Sequence, residues 1–441
     1  MNALIEFFRP HILPLLYAVV IVLVLPLIAG YVVLLERKVM ADMQVRLGPM
    51  RVGPHGLLQP IADAVKLLLK EDIIPENADL WIFWLAPLLS VTAAMLAMAA
   101  LPFGPAFQIA DLNIGLLFVL GISSMGIFGI VLGGWASNSN YSLLGALRSS
   151  AQLVSYETAA GMALVSGLLL AGTLSTRRIV EVQSEQGVWF VFLAPVAFFV
   201  YLVASIAETN RAPFDLPEAE SELVAGYMTE YSGFRWALYF LAEYANMIVV
   251  ASIATTLFLG GWLRPFAKVH ALDFLDYAPP GLMFLVAAYC FWRTPRQPVK
   301  IQKGFLAAVG LLCLGLSGIL GVALLPPAAA FKPGIHGGFW FLLKVFFYVY
   351  TFMWLRFTFP RYRFDQLMKL GWHFMIPVAL VNVMGVGVAL VLHRQFGWGL
   401  APALLATTAG TLLVAGYLAY VSERAESPLV GSAQESSNDA G

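Results

Sequence analysis

The chain has 441 residues, of which 60% are hydrophobic and 12% are charged, and its mean hydropathy is +0.80. A soluble fold of this length cannot bury so much apolar surface, so we predict an all-α polytopic membrane protein. Lys and Arg balance Asp and Glu at 26 each, which gives no support to nucleic-acid binding. Cys290 and Cys313 lie in apolar runs without metal-ligand spacing, so no metal or iron-sulfur site is expected in the chain.

About eleven apolar runs could cross a bilayer of roughly 30 Å as helices. They lie near residues 12–35, 81–101, 113–135, 151–173, 188–207, 236–262, 279–292, 304–327, 338–359, 374–392 and 399–421. The run at 279–292 is short for a crossing. If all eleven cross and the N-terminus is outside, 18 of the 26 Lys and Arg residues face inward and seven face outward, with Lys344 inside a span. The positive-inside rule favours this orientation, so the short run is kept.

One inward segment, Leu57–Lys70, has the pattern of an amphipathic helix that lies along the membrane surface. Its apolar residues recur at helical spacing, and Asp63, Lys66 and Lys70 share the opposite stripe. Two interpretations remain open. The helix is either a simple interfacial anchor, or its polar stripe lines a cavity shared with neighbouring inward loops.

The segment from Glu208 to Glu230 holds six of the 26 acidic residues, between two apolar runs. A charge facing hydrocarbon costs at least about 2.5–3.5 kcal/mol, so this concentration indicates a water-containing path, a proton relay or a cation partner. Asp215 and Glu218 have the spacing of a helix N-terminus. Glu222 then lies four residues after Glu218 on one face, so the two acids should raise each other's proton affinity. The alternative is a solvated loop with an ordinary helix cap.

Three charged residues are expected inside spans: Glu157 near the start of the fourth, Glu243 in the sixth and Lys344 in the ninth. Glu208 closes the fifth span and Arg356 ends the ninth. An ionisable group within a membrane needs a partner and is functional by default, although any one of these could instead belong to a structural ion pair. An acid could pair with Lys344, but the sequence does not identify which.

Four stretches resemble the H subunit of bacterial respiratory NADH-quinone oxidoreductase, complex I. They are ERKVMADMQVRLGPMRVGPHGLLQPIADAVKLLLKED, GGWASNSNYSLLGALRSSAQLVSYE, AETNRAPFDLPEAESELVAGYMTEYSG and WLRFTFPRYRFDQLMKLGW. They occur in the family's order, and the resemblance spans about residues 10–262 and 338–392.

The resemblance implies a subunit that joins the membrane and peripheral arms, forms much of the quinone-binding chamber and couples quinone reduction to proton translocation. The implied chamber residues are Glu36, Arg37, Lys38, Arg46, Asp63, Lys66, Arg211, Asp215, Arg356 and Arg361. The implied coupling path contains Glu157, Glu208, Glu218, Glu220, Glu222 and Glu243, to which we add Lys344. The chain would not be catalytic alone: quinone is the substrate, while FMN, iron-sulfur clusters and NADH belong to partner subunits. A multi-pass protein of the cell inner membrane is implied, with a periplasmic N-terminus and a cytoplasmic C-terminus.

The chain departs from the family pattern after residue 262. We divide it into a family core at 1–262, an inserted transmembrane hairpin at 263–337, family spans at 338–393, an additional C-terminal span at 394–421 and a disordered tail at 422–441. The hairpin's turn, RTPRQPVKIQK, carries four cations. It could contact anionic lipid or a neighbouring subunit, or have only a peripheral packing role.

Two other functions are weighed. One is a homologous subunit of a membrane-bound hydrogenase-type complex, which neighbouring genes for flavin and NADH-binding subunits would distinguish. The other is an autonomous ion-coupled transporter, which would move ions unaided after reconstitution; the absence of a duplicated half in the sequence speaks against it. The choice between ubiquinone and menaquinone stays open, as does whether protons or only a conformational signal pass through the protein.

Overall fold

The structure is a computed structural model that describes residues 2–438 except 106, 217–223, 267, 298 and 326–331, and it describes the side chains of 15–421 outside those gaps. Its helices are α1 Asn2–Met43, α2 Gln59–Leu69, α3 Leu80–Met98, α4 Gly115–Ala136, α5 Asn140–Ala171, α6 Thr176–Gln186, α7 Phe190–Leu193, α8 Pro195–Glu208, α9 Gly233–Leu257, α10 Ala278–Arg293, α11 Lys300–Val322, α12 Lys332–Thr358, α13 Phe364–Lys369, α14 Ile376–Phe396 and α15 Leu400–Asn438. The all-α polytopic class is confirmed.

Ten helical segments within the described residues are long and apolar enough to cross a membrane. The short run at 279–292 is among them, because a 3₁₀ turn from His270 extends α10 to a 27-residue segment. The apolar run at 188–207 does not form the single continuous span that was expected. It is broken at Ala194, whose backbone is non-helical, and resumes as α8, which has 14 residues and Pro195 at its first position. Proline lacks the N–H that would continue a helix, which is why this span is interrupted.

Two helices begin or end far from the predicted borders. α1 continues to Met43, so Glu36, Arg37 and Lys38 lie on its last turns rather than in a loop. α5 begins at Asn140 instead of 151, so Glu157 lies in the middle of a long helix and not near the start of a span. The early turns of α5 contain Ser and Asn residues, so a count of apolar runs does not detect them; Ser142 in these turns donates to the backbone carbonyl of Tyr227.

Close backbone contacts position the loop before α9. Gly145 of α5 packs against Gly226, and a Cβ added at Gly145 would lie 2.6 Å from the Gly226 Cα. Ser142 Oγ donates to the carbonyl of Tyr227 at 3.2 Å, and Gln152 Nε2 donates to the carbonyls of Ala207 and Phe214, each at 2.9 Å. α5 therefore fixes both the end of α8 and the loop that carries Tyr227.

Helix α9 lies at the centre of the bundle, with most of its residues buried from Tyr239 onward. It packs against α1, α2, α3 and α12. The hairpin α10–α11 lies beside this bundle and is held by ion pairs of Arg264 with Asp273 at 2.5 Å and of Lys332 with Asp276 at 2.6 Å. The described backbone of α15 is helical to Asn438, and the disorder expected for residues 422–441 stays a prediction.

Candidate functional site

A large cavity of about 380 Å³ lies between α1, α2 and α9. Apolar side chains form most of its wall, including Val33, Leu34 and Leu67, and its polar residues include Arg37, Gln59, Asp63, Lys66 and Tyr244. This volume and this mixture are typical of a site for a small, mostly apolar ligand. Asp63 and Lys66 of the polar stripe of α2 line this cavity, and Lys70 does not. The other lining residues lie on α1, α2 and α9 and not on the neighbouring inward loops, so the second interpretation of the pattern stays a prediction.

Polar contacts brace the rim of the large cavity. Arg37 Nη1 donates to Asp63 Oδ2 at 2.9 Å, and Gln59 Nε2 donates to Asp63 Oδ1 at 2.9 Å, which ties α1 to α2. Lys38 Nζ donates to the carbonyl of His55 at 2.7 Å. Of the expected chamber residues, Arg46 does not join this group: it is exposed and bonds Gln44 at 2.7 Å.

A buried charge cluster lies behind the large cavity. Glu36, which is only 6% exposed, forms an ion pair with Arg356 and accepts a hydrogen bond from the Tyr244 hydroxyl at 2.6 Å. The guanidinium of Arg211 lies 4.2 Å from the centre of the Tyr244 ring. A cation over a desolvated aromatic face is stabilised by the ring's quadrupole. The cluster therefore joins α1, α9 and α12 through two cations and one acid.

Arg211 also forms an ion pair with Glu243, the residue before Tyr244 on α9. Its Nη2 lies 3.5 Å from Glu243 Oε2, and the Tyr227 hydroxyl donates to Glu243 Oε1 at 3.0 Å. Both Arg211 and Glu243 are largely buried. Because truncating one partner of a buried ion pair leaves an uncompensated charge, each residue depends on the other.

The loop that follows Arg211 is held against the segment between α12 and α13. Arg361 Nη2 lies 3.4 Å from Asp215 Oδ2, the rings of Phe214 and Tyr362 are stacked with centroids 5.7 Å apart, and Tyr362 N–H donates to the carbonyl of Pro213 at 3.2 Å. Burial raises the pKa of Asp215 to about 6, although the charge of Arg361 opposes that shift. Asp215 is therefore poised to titrate close to neutral pH.

A second, acidic cavity of about 60 Å³ is lined by Glu157, Glu208 and Glu243. Its other polar residues are Ser90, Ser123, Thr209, Asn210, Tyr227, Tyr239 and Asn246. Ser124 Oγ donates a short hydrogen bond to Glu157 Oε1. Since one water needs roughly 10–15 Å³ by this measure and two to four polar partners, the acidic cavity has room for a few waters. Three of the acids singled out in the sequence thus face one polar space.

Lys344 has a different environment from the one expected. Its Nζ donates to the carbonyls of Leu259, Gly261 and Leu263 at 2.7, 2.9 and 2.6 Å, and it lies 4.2 Å from the centre of the Trp189 ring. The expectation of an acidic partner is wrong, because carbonyls beyond the end of α9 need donors and the ammonium supplies three. Lys344 lines neither the large nor the acidic cavity.

The remaining expected acids, Glu218, Glu220 and Glu222, lie outside the described residues, as does the helix start predicted after Asp215. Within the described residues no group of three His, Cys, Asp or Glu side chains is placed to hold a metal ion.

Sequence reasoning missed the tyrosines of the site and one further ion pair. Tyr227 and Tyr244 are hydroxyl donors to Glu243 and Glu36, and no signal in the sequence connects either hydroxyl to its acceptor. Arg235 is 1% exposed and donates to Asp72 at 2.8 Å through Nε and 2.5 Å through Nη2. This pair fixes the segment between α2 and α3 against the start of α9.

The comparisons with known proteins agree with this architecture. The family model described as NADH dehydrogenase matches residues 16–387. NADH-quinone oxidoreductase H subunit 2 of Solibacter usitatus is 54% identical over 382 residues, covering 85% of this chain and 96% of the relative. H subunit 1 of Koribacter versatilis is 51% identical over 402 residues, covering 86% and 93%, and the H subunit of Rickettsia typhi is 43% identical over 391 residues, covering 88% and 97%. The chain therefore belongs to the NADH dehydrogenase family, as an H subunit of NADH-quinone oxidoreductase, and is a multi-pass membrane component of complex I.

Proposed function

We propose that the large cavity is this chain's part of the quinone-binding chamber and that the acidic cavity couples quinone reduction to proton translocation. One observation carries the proposal. Arg211 contacts both Tyr244, which lines the large cavity, and Glu243, which lines the acidic cavity. Successive residues on a helix point about 100° apart, so α9 presents these two side chains to two different spaces.

The walls of the large cavity suit a quinone. The apolar residues of α1 and α9 would contact its hydrocarbon tail, while Arg37, Asp63 and Lys66 offer charges at the rim where a polar headgroup passes. Partner subunits of the complex would complete the chamber, and they would carry NADH, FMN and the iron-sulfur clusters. We place the chain in the cell inner membrane with its N-terminus in the periplasm, on the distribution of Lys and Arg.

The charge cluster offers a physical route from quinone to the acids. Reduction of a quinone adds two electrons and two protons, so the field at the wall of the large cavity changes during turnover. Two unit charges 4 Å apart interact by about 4 kcal/mol at an effective dielectric constant of 20, which corresponds to about a thousandfold change in a protonation equilibrium. A displacement of Arg211 from Glu243 toward Tyr244 would therefore remove part of the positive charge that faces the acidic cavity.

The acidic cavity would transmit this change in charge balance toward the remaining membrane subunits. Glu157 and Glu208 share the cavity with Glu243, and interacting carboxylates titrate as a group rather than singly. Water in the cavity would connect them, so that loading one acid alters the others. Either protons or a rearrangement of these acids would then reach the remaining membrane subunits. Glu218, Glu220 and Glu222, which lie in the sequence between α8 and α9, are proposed to extend this path.

The test uses the complete complex in sealed membrane vesicles. Arg211→Ala should lower NADH-quinone reductase activity and the proton gradient together, whereas Arg211→Lys, which keeps the charge but loses the planar stacking group, should retain part of both. NADH oxidation by a water-soluble acceptor confirms that the peripheral arm is assembled. Arg178→Ala, at an exposed position on α6, is the matched control. Wild-type turnover and gradient in assembled Arg211→Ala would reject the proposal.

A further inference from the structure

The turn between α10 and α11 concentrates positive charge. Arg293, Arg296, Lys300 and Lys303 are all exposed. The sequence from residue 277 to residue 364 contains no Asp or Glu, so neither helix of the hairpin supplies a compensating carboxylate. Four cations on a short turn at the end of two membrane-crossing helices produce a locally positive surface.

Two aromatic rings hold the arginines of this turn at a defined depth. The guanidinium of Arg296 lies 3.6 Å from the centre of the Trp292 ring, and Arg293 Nη1 donates to the Tyr289 hydroxyl at 2.6 Å. Both rings are about half exposed. Trp and Tyr near the end of a transmembrane helix are typical of the headgroup region of a bilayer. The arginines are therefore placed where lipid phosphates lie.

The turn lies at the same end of the bundle as the α2 rim of the large cavity. α11 contacts the 3₁₀ turn Pro54–Gly56, which precedes α2. Burial lowers the pKa of His55, and the positive charges of Lys38 and Arg293 lower it further. Arg51, on the same loop, is exposed and adds to the positive surface.

The two helices also offer an apolar surface for lipid chains. Leu285 on α10 and Leu311 and Leu312 on α11 are among their exposed side chains. An occupant of this region would therefore meet cations at one end and hydrocarbon along its length. That combination fits a phospholipid better than the acidic surface of a protein, which would leave the apolar faces unused.

We propose that the α10–α11 turn binds the phosphodiester headgroup of an anionic phospholipid, with Arg293, Arg296, Lys300 and Lys303 as its cationic partners and Trp292 and Tyr289 fixing their depth. Guanidinium groups match phosphate oxygens with two parallel hydrogen bonds, so the arginines would provide specificity and the lysines additional charge. This inference does not depend on the assignment of the quinone chamber.

The experiment uses the complete complex reconstituted with photoactivatable phosphatidylglycerol in a phosphatidylcholine background, and it quantifies crosslinking to the peptide that contains Trp292. Each Lys or Arg near an anionic surface contributes about a factor of five in binding. Arg296→Gln/Lys300→Gln should therefore raise the lipid concentration for half-maximal crosslinking by about thirtyfold. The charge-conserving Arg296→Lys/Lys300→Arg variant should stay within about threefold of wild type.

A matched control removes two cations elsewhere. Arg177→Gln/Arg178→Gln, on α6, should leave crosslinking at Trp292 unchanged, because these arginines pair with Glu181 and Glu185. Equal crosslinking of phosphatidylglycerol and phosphatidylcholine in wild type would overturn the proposal, as would unchanged crosslinking in the neutralised variant. Loss of a neighbouring subunit from that variant, with lipid crosslinking retained, would instead identify an acidic protein surface as the occupant.

Discussion

Asp215 provides a test of how the buried loop after α8 responds to pH. Its side chain is 15% exposed and lies 3.4 Å from Arg361. Burial raises its pKa from 3.8 to about 6, and the nearby arginines only partly offset that effect. Asp215→Asn keeps the size of the side chain and an oxygen that Arg361 can contact, but removes the titrating group.

The size of the expected stability difference follows from the pKa shift of Asp215. A pKa raised by about two units corresponds to about 3 kcal/mol at 1.36 kcal/mol per unit. The protonated form is favoured in the folded state, so this contribution is fully present below about pH 4, is lost as pH rises through about 6 and stays constant above that. Asp215→Asn does not titrate. Relative to wild type, the free energy of unfolding of the variant should therefore increase by about 3 kcal/mol between pH 4 and pH 7.

The assay is the thermal midpoint of the intact complex, measured for variant and wild type in parallel from pH 4.5 to pH 8. The difference between the two midpoints cancels the titration of all other groups. It should increase across pH 5 to 6.5 and then level off. Asp111→Asn, whose side chain is half exposed, is the matched control for removal of a surface carboxylate. A difference that is flat with pH, or that falls as pH rises, would refute this reasoning.

Three further predictions concern the buried charges. Arg356→Met should destabilise the complex by about 3–5 kcal/mol, because it leaves the Glu36 carboxylate without this partner. The double variant Glu36→Gln/Arg356→Met should recover most of that loss. A double variant as unstable as the single variant would contradict this prediction. Tyr244→Phe keeps the ring beneath Arg211 and should lower the proton gradient less than Tyr244→Leu, measured at equal assembly; the reverse order would exclude a role for the ring. Lys344→Met should lower the thermal midpoint, since it removes hydrogen bonds to three carbonyls at about 1.5–3 kcal/mol for each bond to a charged group, while quinone reductase activity per assembled complex stays near wild type.

Much of the architecture could be predicted from apolar runs, because a bilayer demands long, uninterrupted hydrophobic helices. The positions of Glu157, Glu208 and Glu243 in or beside such runs were enough to mark them as a group. Their common cavity could not be predicted, because it depends on how α3, α4, α5, α8 and α9 pack. The break at Ala194 was visible as Pro195, but a proline in a run of apolar residues does not show whether a span bends or stops.

The sequence could not predict which charged or polar side chains on different helices contact one another. Glu36 and Arg356 are 320 residues apart, and no local pattern connects them. For Lys344 the sequence offers an acid as one possible partner, but irregular backbone beyond α9 supplies three carbonyl oxygens instead. Tyr227 and Tyr244 read as ordinary apolar residues, because a hydroxyl becomes informative only when its acceptor is known.

The arrangement around α9 explains why one helix can serve two cavities. A coupling element needs contact with both spaces, a charge that can move and a surrounding that excludes bulk water. In the proposed coupling, Arg211 would be this element, because it is buried between the face of an aromatic ring and a carboxylate. Ring and carboxylate attract the same guanidinium from adjacent positions on one helix, so a displacement of an ångström or two shifts its interaction energy from one to the other. On this proposal, a field change in the large cavity would become a change of charge balance in the acidic cavity without any helix having to move.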